Sequence, residues 1–169
     1  YQEVTGVQTC ALPISGEEIR VKKGEYVKVK LENHLSEPVT IHWHGVILPN
    51  PMDGVAGITQ NAVQPGESFT YEFQAKEAGT YWYHSHQQSS KQVDKGLYGA
   101  FIVEDTEQTY DTDRVLLFDE WAFDDFDGEG MMGNMMGGMM NGDMGEGDMD
   151  TNMIYNTLSM NGKDRKSVV

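Results

Sequence analysis

Two short stretches constrain this chain more than any other: Thr40-Ile41-His42-Trp43-His44-Gly45 and, some forty residues later, Tyr81-Trp82-Tyr83-His84-Ser85-His86. Both are rich in the aromatic and β-branched residues that favour strands. In a strand, residues i and i+2 share a face and lie roughly 6 to 7 Å apart. Each HxH pair therefore aims two imidazoles the same way, and the two pairs hold four of the five histidines. Burying four imidazoles costs free energy unless each finds a partner, so the clustering points to a metal site. Neutral imidazole suits copper, zinc, iron and nickel alike. Zinc prefers one four-coordinate site, whereas four histidines spread over two strands could equally bridge several ions.

The segments around these pairs read as strands and turns. Glu18-Ile19-Arg20-Val21-Lys22, Tyr26-Val27-Lys28-Val29-Lys30-Leu31-Glu32 and Glu67-Ser68-Phe69-Thr70-Tyr71-Glu72-Phe73 carry the alternation of half-buried strands. Leu97-Tyr98-Gly99-Ala100-Phe101-Ile102-Val103 adds another apolar strand. The histidine pairs close strands over residues 39–43 and 80–86, and residues 87–95 read as a polar loop. Residues 45–66 form a long loop punctuated by proline and glycine, of the kind that usually serves a function. Short strands at this spacing predict an antiparallel β-sandwich. His34 lies in a turn-rich loop and reads as a solvated side chain.

The chain of 169 residues has 12 basic and 27 acidic side chains, but the imbalance is local. Residues 104–150 contain fifteen acidic residues and only Arg114, and so hold fourteen of the fifteen net negative charges. The remainder has no basic patch for nucleic acid or an anionic membrane. No apolar run approaches the ~18 residues of a membrane span. The single cysteine, Cys10, excludes both an intrachain disulfide and a thiolate cluster.

Taken together, His42-Trp43-His44-Gly45, Asp53-Gly54, Ile58-Thr59-Gln60, Pro65-Gly66-Glu67-Ser68, Tyr81-Trp82-Tyr83-His84-Ser85-His86 and Gly96-Leu97-Tyr98-Gly99-Ala100 resemble, in this order, the first cupredoxin domain of a multicopper oxidase of the laccase and copper-resistance type. The resemblance implies an all-β, cupredoxin-like Greek-key β-sandwich over residues 16–105. Residues 106–163 would begin a second cupredoxin domain, with Asn156-Thr157-Leu158-Ser159-Met160-Asn161-Gly162-Lys163 as a strand and turn. Residues 1–15 and 164–169 resemble non-native read-through and are set apart from the fold. By the same resemblance His42 would bind a type 2 copper, His44 and His84 one copper of a type 3 pair, and His86 the other. Asp53 would be an acid that helps deliver protons towards dioxygen, although Asp-Gly is also a common turn pair. Trp43 and Tyr83 alternate away from the histidines and read as core residues. Asn61 stands where the family often has cysteine, which leans towards a bacterial, disulfide-poor member.

The family draws electrons through a type 1 copper held by a cysteine and linked to the cluster by an HCH segment, and no HCH occurs here. The chain thus carries at most half of the trinuclear ligand set, and the rest is expected from a missing C-terminal cupredoxin domain of the same protein or of a neighbouring subunit. The expected reaction couples one-electron oxidation of a reductant, cuprous ion or a small phenolic, to reduction of dioxygen to water, in the periplasm or outside the cell. Residues 127–150 are low in complexity and read as a disordered insertion. Their methionines Met131, Met132, Met135, Met136, Met139, Met140, Met144 and Met149 offer soft thioethers suited to cuprous ion. A copper-storage or copper-chaperone module and a mononuclear zinc hydrolase are the alternatives.

Overall fold

The structure, a computed structural model, describes residues 2–5, 16–107, 109–121 and 157–164. The methionine-rich segment 127–150 lies outside the described residues, as do Cys10 and residues 165–169.

Strand β1 (Gln2–Thr5), β3 (Tyr26–Glu32) and β5 (Ser68–Gln74) form one sheet in the order β1-β3-β5. A second sheet has the order β2-β7-β6-β4, built from β2 (Ile19–Lys22), β4 (His42–His44), β6 (Gly79–His84) and β7 (Tyr98–Glu104). The alternation read along β3 is realised: Val27, Val29 and Leu31 are buried, while the lysines between them reach outward. These side chains meet the inner face of the second sheet. Trp43, fully buried, packs edge-on against Tyr71 and Phe73 of β5 at centroid distances of 5.7 and 5.0 Å, and against Phe101 of β7 at 5.4 Å. Truncating such a buried indole costs about 3–5 kcal/mol, so the residue between the two histidines of β4 anchors the sandwich.

Tyr83 fills the same core one strand over, where Gly99 lies directly opposite it and leaves room for its ring. Its hydroxyl donates to the Glu17 carbonyl at 2.7 Å. Trp43 and Tyr83 are thus core residues, as their alternation predicts. The tight turn after the 3₁₀ segment Asn50–Met52 brings Gly54 against β4 with φ +79°. A Cβ at this position would overlap the Ile41 carbonyl and crowd the His42 amide.

Several details depart from the sequence reading. Two pairings are parallel, β1 with β3 and β2 with β7, so the sheets are mixed rather than purely antiparallel. Periodicity reports which face a residue occupies and carries no information on strand direction. Gln2–Thr5 takes part in a sheet although it lies in the stretch set apart above, because backbone pairing needs no side-chain alternation. The polar stretch after the second histidine pair contains a helix, α1 (Ser89–Asp94). Beyond the sandwich, β8 (Phe118–Trp121), β9 (Thr157–Met160) and β10 (Lys163–Asp164) form a separate antiparallel sheet in the order β10-β9-β8.

Replacing Gly54 with alanine adds both left-handed backbone strain, about 1–3 kcal/mol, and a clash beneath β4. Denaturant unfolding of the Gly54→Ala chain is expected to show a loss of at least that size, and unchanged stability would contradict this placement of the turn.

Candidate metal centre

The antiparallel pairing of β4 with β6 sets His42 opposite His84, Trp43 opposite Tyr83 and His44 opposite Trp82. Since facing residues share a side of the sheet, burial of Trp43 and Tyr83 turns His42, His44, Trp82 and His84 to the outer face. There one nitrogen from each of His42, His44 and His84 lies within 4.8 Å of the others. His44 Nδ1 and His84 Nε2 lie 3.2 Å apart. Two imidazole nitrogens on one ion at ~2.0–2.1 Å and a near-tetrahedral angle lie about 3.3 Å apart, so this pair has the spacing of ligands to a shared metal. The His86 ring stands beside the group, its centroid 5.3 Å from that of His42 and 6.3 Å from that of His84.

Which nitrogen faces the centre is set by the hydrogen bond at the other. His42 Nδ1 lies 2.7 Å from the Asp53 carbonyl, and His84 Nδ1 lies 2.8 Å from the Ser85 carbonyl. A carbonyl only accepts, so each Nδ1 carries the proton and each Nε2 presents a lone pair. This is the usual way in which an outer partner fixes a ligand histidine. Trp82 adds a packing restraint, stacking on His84 at 4.2 Å and 26° and lying against His44 at 4.9 Å. Its position on the histidine face was readable from period-2 alternation, although the sequence reading passed over it.

Asp53 falls beside His42, where its carboxylate reaches within 3.4 Å of the same Nδ1 that its carbonyl accepts from. It therefore lies behind the imidazole, on the side away from the Nε2 lone pair. The donor set is all imidazole, without thiolate, which fits copper in either a type 2 or a type 3 role. His34 stays apart, exposed and near Glu32.

Burial is the largest influence on His84 and lowers its pKa from the ordinary 6.5. The Ser85 carbonyl works against it, and the neighbouring imidazoles His42, His44 and His86 lower it further. Between the folded and unfolded pKa the unfolded chain binds more protons, so stability falls as pH falls. In the metal-stripped chain, unfolding free energy is expected to decline as pH drops below 6.5, and His84→Gln is expected to flatten that part of the profile. An unaltered profile in the variant would contradict the assignment of this dependence to His84.

A sequence model described as multicopper oxidase matches residues 2–108. The chain is 39% identical over 126 residues to Copper resistance protein A of Escherichia coli, covering 70% of this chain and 20% of that protein. It is 41% identical over 127 residues to L-ascorbate oxidase of Cucumis sativus, covering 68% and 21%. The crystal structure of Blue Copper Oxidase from Nitrosomonas europaea superposes with a TM-score of 0.65 at 31% identity, over 86% of this chain and 43% of that one. The chain spans about a fifth of the length of the curated relatives it matches. These likenesses identify the two-sheet sandwich as cupredoxin-like, the fold of copper-using oxidases. Because the match runs through both histidine strands and the sheets that carry them, the chain belongs to the multicopper oxidase family.

Proposed function

We propose that this chain supplies the first-domain half of the trinuclear copper site of a multicopper oxidase. His42 serves the type 2 copper, His44 and His84 one copper of the type 3 pair, and His86 the other. The observation that carries the reading is the 3.2 Å approach of His44 Nδ1 to His84 Nε2, with the His42 ring 5.3 Å from that of His84. The remaining ligands and the type 1 site come from a further cupredoxin domain of the same protein or of a neighbouring subunit. Copper held there supplies the one-electron chemistry by which dioxygen is reduced to water.

The residues of this chain hold and orient. The Asp53 and Ser85 carbonyls keep Nδ1 of His42 and His84 protonated, so that both Nε2 atoms stay available. Asp53 is the proposed proton carrier. Supporting this, its side chain is 31% exposed and its carboxylate lies 3.4 Å from His42 Nδ1. Residues 16–105 form the first cupredoxin domain and residues 106–163 begin the second, a division supported by the separate sheet of β8, β9 and β10. The favoured reductant is cuprous ion, gathered by the eight methionines between Met131 and Met149, with small phenolics as the other class. We place the parent protein in the periplasm or at the cell surface, in keeping with its likeness to copper-resistance relatives. Among the described residues no helix is long and apolar enough to cross a membrane.

Titrating Cu(II) into the metal-stripped chain under electron paramagnetic resonance should reveal nitrogen ligation, and His44→Ala or His84→Ala should each weaken binding by about tenfold or more. The chain alone should show no oxidase turnover. Binding that neither substitution weakens would overturn the ligand assignment, and four-electron dioxygen reduction by the chain alone would overturn the half-site reading. In the full-length protein, changing the eight methionines to serine should lower cuprous oxidation more than phenol oxidation. Equal losses would remove the case for cuprous ion.

A further inference from the structure

Helix α1 lies immediately after the second histidine pair and carries one residue out of keeping with its polar sequence. Gln92 is among the largest fully buried side chains of the described residues, at 2% exposure. A buried amide costs free energy unless its polar atoms are satisfied, and those of Gln92 join the two segments that bring in the histidines. Its Nε2 donates to the Pro38 carbonyl at 3.0 Å, four residues before His42. Its Oε1 accepts from the Ser85 hydroxyl, between His84 and His86. Outside this contact, Lys91 pairs with Glu37 at 2.8 Å and holds α1 on the same loop.

Ser85 connects this amide to the metal centre. Its amide donates to the Leu97 carbonyl at 3.0 Å, and its hydroxyl accepts from the Gln87 amide at 3.3 Å, just beyond His86. Its own carbonyl accepts from His84 Nδ1 at 2.8 Å. The orientation of the Ser85 peptide therefore decides which nitrogen of His84 stays bare, and Gln92 is the buried group that restrains the Ser85 side chain.

We infer that Gln92 is a positioning residue for the metal centre: through Ser85 it holds His84 in the tautomer with Nε2 unprotonated, and through Pro38 it fixes the approach of the segment that ends in His42. Leucine at this position would fill a similar volume and make neither bond. The inference rests on the reading of His84 as a metal ligand, but the tautomer can be observed without metal.

The test uses the 169-residue chain and its Gln92→Leu, Ser85→Ala and Ser85→Thr variants, with Val29→Ala, a buried residue of the sheet that carries no histidine pair, as a core-destabilised control. Nitrogen-15 correlation spectra of the metal-stripped chain should show His84 as the Nδ1–H tautomer in wild type, Ser85→Thr and Val29→Ala. Mixed tautomers are expected in Gln92→Leu and Ser85→Ala. Cu(II) affinity should fall about 10- to 100-fold in the latter two, and Ser85→Thr, which keeps the hydroxyl, should retain most of it. A Gln92→Leu chain that folds with an unchanged His84 tautomer, or loses no more affinity than Val29→Ala, overturns the inference. If Gln92→Leu does not fold, Ser85→Ala decides by the same two readings. Wild-type Cu(II) binding that survives His84→Ala would instead defeat the ligand assignment, leaving the tautomer measurement to judge Gln92 by itself.

Discussion

The pairing register of β4 with β6 is the constraint on which the rest of this structure depends. Trp43 faces Tyr83 and both are locked into the core, so His42 and His84 must face each other on the opposite side. A slip of one residue in either strand would exchange those faces. It would drive imidazoles into an apolar interior and expose an indole that is worth several kcal/mol where it is. The apolar residues of the two motifs thus specify the histidine cluster as much as the histidines do. The core holds the register, and the register converges the imidazoles.

Convergence alone leaves each imidazole two nitrogens to offer. Here the loops contribute. The 3₁₀ turn at Asn50–Met52 and the left-handed Gly54 press the Asp53 carbonyl onto His42, and the strand end at Ser85 turns its carbonyl onto His84. Both contacts are made by backbone carbonyls, and the Asp53 carboxylate lies beside the first of them, 3.4 Å from His42 Nδ1. Burial of His84 keeps its imidazole neutral towards lower pH, the form that a metal requires. Preparing the centre is therefore shared among core packing, a turn and a buried polar contact.

Much of this was legible in the sequence, for physical reasons. Period-2 alternation separates the histidine face from the Trp43 and Tyr83 face without further information, and the ordered motifs from His42 to Ala100 carried the family. Other features were not legible. Strand direction leaves no mark on alternation, so the parallel pairings of β1 with β3 and β2 with β7 went unseen. The stretch holding α1 is polar and short and so read as a loop, while the burial of Gln92 comes from contacts with Pro38 and Ser85 that periodicity does not register. Asp53 was readable as a turn residue or as an acid. In the fold its backbone serves the first role while its carboxylate lies beside His42.

The most direct measurement of the central claim is X-ray absorption fine structure on the chain loaded with one equivalent of Cu(II). Convergence of His42, His44 and His84 predicts a first shell of nitrogen at about 2.0 Å with the outer-shell scattering of two or three imidazoles. A shell dominated by carboxylate oxygen or sulfur, with no imidazole scattering, would contradict the claim that the β4 and β6 register builds a metal centre.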